Sequence, residues 1–177
     1  VLVLAGSIPY SMPDDIYQQI LKCLSDKNMT IAVDATKDLL LNVLEYHPFL
    51  IKPNHHELGE IFGVTLSEWS DVIPYAKKLQ ERGAKNVLVS MGGKGAVLIA
   101  ENGKIIAGES SKGVVKNTVG AGDSMVAGFM AGWMQKRDYE HAFRMGLAIG
   151  GASACSENLA TRQEIETEYE KTAVHYL

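Results

Sequence analysis

Residues 86–108 read NVLVSMGGKGAVLIAENGKIIAG, and the architecture turns on how this stretch is divided. NVLVSMGG (86–93) starts as a continuous apolar run and ends in glycines, which reads as a buried strand running into a glycine loop. Residues 95–108 then hold two short apolar runs joined by Glu101-Asn102-Gly103-Lys104. An Asn-Gly pair between apolar runs is a hairpin signal, because both residues tolerate the positive φ that the turn needs.

Upstream of this stretch the rhythm is different. VLVLAG (1–6), TIAVD (30–34) and FLIK (49–52) read as buried strands. Between and after them come amphipathic segments that predict helices over Pro13–Leu24, Asp38–Glu45, His55–Phe62 and Ser67–Arg82, the last stopped by Gly83. Downstream of Lys116 the pattern predicts helices over 120–135 and 138–156, then a polar tail helix from Arg162 to Tyr176. Strand–helix alternation followed by a hairpin predicts an α/β fold: a mostly parallel sheet wrapped by helices, with an antiparallel hairpin near one edge. With no repeat, linker or low-complexity tract, residues 1–177 are expected to form a single domain. The chain opens on a strand-like run without methionine, so it reads as the C-terminal part of a longer protein whose first strands lie upstream.

Composition narrows the class. Hydrophobic residues make up 46% and charged residues 21%, ordinary values for a globular protein, and the formal net charge is −4. That balance, without a block of like charges, argues against nucleic acid or an anionic membrane as the main partner. The apolar stretch Val119 to Met134 is too short and glycine-rich to span a bilayer. Cys23 and Cys155 are far apart and outside any CxxC pair, which disfavours a disulfide framework or structural zinc and fits a reducing, cytoplasmic setting. Cys155 falls on an apolar helix face and is expected to be an inert buried thiol.

In open parallel sheets, ligands bind beyond the carboxyl ends of the strands. The predicted strand ends here carry Gly6-Ser7, Asp34, Lys52-Pro53-Asn54 and Ser90 to Gly93, so polar and glycine residues collect at one rim.

Three motifs carry chemistry. In NTVGAGDSMVAGFMAGW (117–133), small residues at 120–122 open a helix and allow close approach of its N–H groups to an anion. Asp123 falls in the first turn, where a carboxylate either complements the helix dipole or accepts a proton beside that anion. Met125, Phe129, Met130 and Trp133 follow helical spacing and are expected in the core, and Gly128 and Gly132 predict close helix packing.

In KPNHHELGEIFG (52–63), Asn54 and Glu57 stand three apart at a strand-to-helix junction. That spacing suits a capping box and equally a metal-bound water held near phosphates. His55 and His56, adjacent on a helix, are expected to diverge and to serve as surface or packing residues. SMGGKGAVLI (90–99) is not a P-loop, since that motif requires glycine at 88 and Ser or Thr at 95, where Leu88 and Gly95 stand. It can still receive phosphates through Ser90 and backbone N–H groups, or be a plain tight turn. Glu164, Glu166, Glu168 and Glu170 read as a solvated face.

GSIP (6–9), KPNHHE (52–57), VSMGGKGA (89–96) and NTVGAGDSMVAGF (117–129) occur in the order and approximate spacing of the ribokinase-like sugar kinases, and the chain resembles their phosphofructokinase B group. That group includes 1-phosphofructokinases and tagatose-6-phosphate kinases. The resemblance implies a three-layer ribokinase-like fold and transfer of the γ-phosphate of ATP, with Mg²⁺, to a hydroxyl of a ketohexose phosphate, fructose 1-phosphate foremost. It implies Asp123 as catalytic base and Gly120, Ala121 and Gly122 as anion hole. Asn54, through water, and Glu57 would organise the metal and phosphates, with Lys52 preceding them at the nucleotide. Ser90, Gly92, Gly93 and Gly95 match the nucleotide-phosphate loop, residues 153–158 correspond loosely to the adenine pocket, and Gly6 and Ser7 match an element near the sugar.

Because family members are roughly twice this length, the resemblance places the lid, most sugar contacts and a lid-mediated homodimer in upstream sequence. Residues 1–177 alone are accordingly expected to be inactive. Three other readings stand beside this one: a kinase for a non-phosphorylated sugar or nucleoside, a non-catalytic nucleotide-binding relative, and a dinucleotide-dependent oxidoreductase. The last lacks its glycine fingerprint.

Overall fold

Strand β1 (Leu2–Ala5) pairs in parallel with β2 (Ile31–Asp34), aligning Ala5 with Asp34. A computed structural model describes residues 1–177, which divide into two compact units: Val1–Val89 with Ile99–Gly103, and Ser90–Leu98 with Lys104–Leu177.

In the first unit β2 pairs in parallel with β3 (Leu50–Ile51), and β3 with β4 (Asn86–Ser90). Each crossover carries a helix, as parallel neighbours require: α1 (Ile16–Cys23) and α2 (Lys37–Asn42), then α3 (His55–Phe62) and α4 (Trp69–Glu81) between β3 and β4. Ala32, Val33, Leu50, Ile51, Val87, Leu88 and Val89 are buried, which explains why these strands read as unbroken apolar runs. The helices turn Leu21, Leu40, Leu58, Val72, Ala76 and Leu79 into the core. The predicted second helix stops earlier than its pattern suggests, and a 3₁₀ turn at Leu44–Tyr46 completes it. At the tip of the sequence hairpin, Gly103 at φ +84° closes the turn by donating its N–H to the Ala100 carbonyl at 3.0 Å, as the Asn-Gly pair requires.

The second unit holds β5 (Ala96–Ile99), β6 (Ile105–Gly108) and β7 (Val174–Tyr176) in that order. The five-residue link between β5 and β6 is too short for a crossover, so the two run antiparallel as the hairpin predicts. β7 corrects the sequence reading. The tail helix α7 (Arg162–Lys171) ends five residues before Tyr176, and Val174, His175 and Tyr176 pair antiparallel with Gly108, Ala107 and Ile106. The glutamate-rich periodicity stops at Lys171, and the β-branched and aromatic residues beyond it suit a strand.

Helices α5 (Ala121–Lys136) and α6 (Tyr139–Cys155) approach backbone to backbone at their glycines. A Cβ on Gly128 would lie 2.8 Å from the Met145 carbonyl oxygen, one on Gly146 2.8 Å from that of Met125, and one on Gly150 3.1 Å from that of Ala121. The GxxxG spacing therefore serves backbone-to-backbone packing. Met125, Phe129 and Met130 are buried as expected, but Trp133 is half-exposed and stacks on Tyr139 with ring centroids 4.5 Å apart. α7 is held to α6 by Arg144, whose guanidinium donates to the Tyr169 carbonyl at 2.8 Å, and by a 2.9 Å contact between His141 Nδ1 and the Tyr169 hydroxyl. No helix is long and apolar enough to cross a membrane.

Candidate active site

The carboxyl ends of β1, β2 and β3 carry the candidate residues of the first unit. Asp34 Oδ2 and Lys52 Nζ form an ion pair at 3.1 Å, with side chains only 17% and 7% exposed. The Gly6 N–H donates to the Asp34 carbonyl at 3.0 Å, and the Gly6 carbonyl accepts the Tyr17 hydroxyl at 3.1 Å. Gly6 adopts φ +92° with open space where a side chain would stand, so this turn is held at both ends yet uncovered. Burial first, then the Asp34 charge, pushes the Tyr17 phenol above its ordinary value, which keeps the hydroxyl a donor. The rim expected from the strand ends is thus real within this unit, and Ser7 is exposed beside it.

One residue beyond Pro53, Asn54 caps α3. Its Oδ1 accepts the Glu57 N–H at 2.9 Å, and Glu57 Oε2 accepts the Asn54 N–H at 2.8 Å. The capping box is therefore formed. It does not exhaust the pair, since a carboxylate offers about four lone-pair sites and the cap takes one. Both side chains remain half-buried, and their oxygens are of the kind that Mg²⁺ accepts, direct or through water. No group of three or more His, Cys, Asp or Glu side chains is placed to hold a metal ion. The rings of His55 and His56 do not diverge as expected; their centroids lie 3.9 Å apart.

The second unit has two candidate elements of its own. After Ser90 the chain reverses through a 3₁₀ turn at Gly92–Lys94, closed by the Met91 N–H donating to the Gly95 carbonyl at 2.8 Å. Gly92 and Gly93 are exposed, with open space where side chains would stand, whereas Gly95 is buried against the Gly108 carbonyl. The four residues matched to one loop thus divide: two glycines leave the backbone accessible, and the third is demanded by packing.

The other element is the start of α5. Gly120 takes the N-cap position at φ +78°, and no side chain caps the helix. Helix starts leave N–H groups without intrahelical partners, and Asp123 stands exposed in the same first turn. The approach to the helix is pinned: Val119 N–H donates to Asn117 Oδ1 at 3.0 Å, and the N–H groups of Lys116 and Asn117 both donate to the Ala154 carbonyl, at 2.9 and 3.2 Å.

A cleft of about 880 Å³ lies within this unit, lined by Glu109–Gly113, by Ala152, Cys155 and Ser156, and by the α7 face carrying Gln163, Glu164 and Glu168. Part of the segment matched to an adenine pocket therefore borders a real cavity. Two expectations change here. Cys155 is half-buried, with Sγ 3.6 Å from Ser111 Oγ, because the wall of the cleft leaves it partly open. Of the glutamates read as a solvated face, Glu164, Glu166 and Glu170 are exposed, Glu164 closing the α7 capping box with Thr161, whose backbone N–H holds its carboxyl below the usual range, whereas Glu168 is half-buried at the cleft.

Sequence reasoning named Asp34 and Lys52 separately and missed their pairing, and it missed Tyr17 altogether. The available signal was that Asp34 and Lys52 each directly follow the buried part of a neighbouring strand.

A Bacillus subtilis 1-phosphofructokinase is 45% identical over 166 residues, covering 94% of this chain and 54% of that protein. A Bacillus licheniformis D-tagatose-1-phosphate kinase is 32% identical over 178 residues, covering 99% of this chain and 58% of that protein. The crystal structure of a Staphylococcus aureus protein superposes with a TM-score of 0.94 at 41% identity, covering 99% of this chain and 57% of that one. The chain thus spans about half the length of the curated relatives it matches. Residues 1–166 match the description "pfkB family carbohydrate kinase", and the chain belongs to that family.

Proposed function

We propose that this protein serves a kinase that transfers the γ-phosphoryl group of ATP to a hydroxyl of a ketohexose phosphate, fructose 1-phosphate in the first place. The observation that carries this reading is the start of α5, where an uncapped helix N-terminus and an exposed carboxylate, Asp123, share one turn. Phosphoryl transfer asks a protein mainly for positioning and for donors aimed at developing negative charge. The N–H groups at Gly120 and Gly122 supply such donors, and that of Ala121, which donates to the Thr118 carbonyl at 3.2 Å, would have to turn from it to join them. Asp123 accepts the hydroxyl proton as the new oxygen–phosphorus bond forms, and the bond to the β-phosphate oxygen breaks to release ADP.

Ser90, Gly92, Gly93 and Gly95 form the phosphate loop in this reading, and Lys52 adds a cation for the phosphates. Asn54 and Glu57 would hold Mg²⁺ through water, and the ion would neutralise phosphate charge. Gly6 and Ser7 lie towards the sugar, and the 880 Å³ cleft takes the adenine. The Bacillus subtilis relative supports fructose 1-phosphate as acceptor. The Bacillus licheniformis relative supports a second reading, tagatose 1-phosphate rather than the tagatose 6-phosphate expected from the resemblance.

The test is a panel of fructose 1-phosphate, fructose 6-phosphate and the two tagatose phosphates offered to the intact enzyme with ATP and Mg²⁺. The highest kcat/KM is expected for fructose 1-phosphate. Turnover of ribose or a nucleoside instead would move the assignment to the kinases of non-phosphorylated acceptors, and binding of NAD in place of ATP would overturn it.

The metal role has a separate test. A glutamine at position 57 still satisfies a capping box, so Glu57→Gln leaves the helix start intact and removes only charge. The expected result is an unchanged melting temperature with a several-fold higher Mg²⁺ requirement. An unchanged Mg²⁺ titration would leave Glu57 as a cap and nothing more.

A further inference from the structure

We propose that Asp34 is a positioning residue that holds Lys52 ready for the nucleotide phosphates, an inference that rests on the kinase reading above. Lys52 carries a long flexible stem, yet its ammonium is buried and meets Asp34 Oδ2 at 3.1 Å. Burying such a pair gives little net stability, because the desolvation of both ions offsets their attraction. What the pair does provide is one fixed position for a side chain that otherwise loses substantial rotamer entropy on binding.

Asp34 is well placed to do this, because its own main chain is fixed on both sides. Its carbonyl accepts the Gly6 N–H at 3.0 Å, Gly6 is held in turn by Tyr17 at 3.1 Å, and the Lys52 N–H donates to the Val33 carbonyl at 3.2 Å. The carboxylate therefore projects from a backbone already tied to both neighbouring strands. Lys52 also stands two residues before Asn54, the cap of α3, so the lysine and the proposed metal pair leave the same strand end. A lysine whose ammonium is already desolvated and oriented gives up less on meeting a phosphate than one waving in solvent.

The variants Asp34→Asn and Asp34→Glu, compared in the intact enzyme, test this. D34N is expected to raise the KM for ATP by about tenfold or more, the scale of a lost charge-assisted hydrogen bond, while kcat changes far less. D34E, which keeps the charge on a longer arm, is expected to recover part of that loss. Wild-type KM values in D34N, or D34E no better than D34N, would overturn the role. If D34N does not fold, Asp34→Ser carries the kinetic test in its place: an ATP KM equal to that of the parent overturns the proposal, and a raised KM with kcat retained supports it.

A second readout does not need turnover. Acetic anhydride labelling of the intact enzyme without substrates, read by peptide mass spectrometry, should modify Lys52 faster in D34N than in the parent, with D34E near the parent. Equal labelling in D34N overturns the positioning role even where turnover is normal. Absence of ATP-dependent turnover in the parent enzyme is a different result, which sinks the kinase reading itself.

Discussion

Asp123→Asn in the intact enzyme is expected to lower kcat by about 10²–10⁴, the usual contribution of a general base, while ATP still binds. Asparagine keeps the size and the acceptor oxygen of the side chain and removes its charge and basicity. The N–H groups of the helix start, the glycine turn after Ser90 and the Asp34–Lys52 pair are untouched by the change, so nucleotide affinity should stay within about threefold, under the energy of one net hydrogen bond. The competing role, a carboxylate that only complements the dipole of α5, makes a different prediction. In that case the substitution costs roughly 0.3–1 kcal/mol of stability and leaves kcat alone. Kinetics and a thermal melt on the same variant separate the two, and an active Asp123→Asn enzyme ends the base assignment.

The second large effect is expected from Gly95→Ala. Gly95 sits at φ +83°, ψ −129°, a backbone region that residues with a Cβ rarely enter. A Cβ there would run into the Gly108 carbonyl and lie 2.7 Å from both the Glu109 carbonyl carbon and the Ser110 nitrogen. All three neighbours are backbone at the end of β6, so no flexible side chain can yield. Backbone strain and overpacking together should cost roughly 2–5 kcal/mol. Gly93→Ala is the control, since nothing lies within 4 Å of its Cβ position, and it should melt close to the parent. A Gly95→Ala protein as stable as the parent would mean that the turn after Ser90 can take another path.

What could be read in the chain follows from what is local. The capping box of α3 is written into four consecutive residues, and its helix begins and ends at the predicted residues, His55 and Phe62. The reversal at Gly103 is equally short-range. β7 was not legible for the opposite reason: three residues behind a polar helix acquire strand character only by pairing with β6, more than sixty positions earlier. The site divides the same way. GAGD and Asn-x-x-Glu are contiguous and stood out, whereas the Asp34–Lys52 pair depends on β2 and β3 lying side by side in a particular register. Trp133 fell on the expected helical stripe but met Tyr139, a partner that spacing within α5 could not announce.

The bare glycine seam between α5 and α6 bears on how such a protein can change over generations. Where glycines let the backbones touch, any added side chain must push the helices apart at once, and gradual resizing is closed off at those points. The strand of chain leading into α5 hangs from the last turn of α6 through the Ala154 carbonyl, so the two helices carry that approach with them. Change is then expected outside this seam, while Asp123, in the first turn of α5, stays on a scaffold that is kept whole or lost whole.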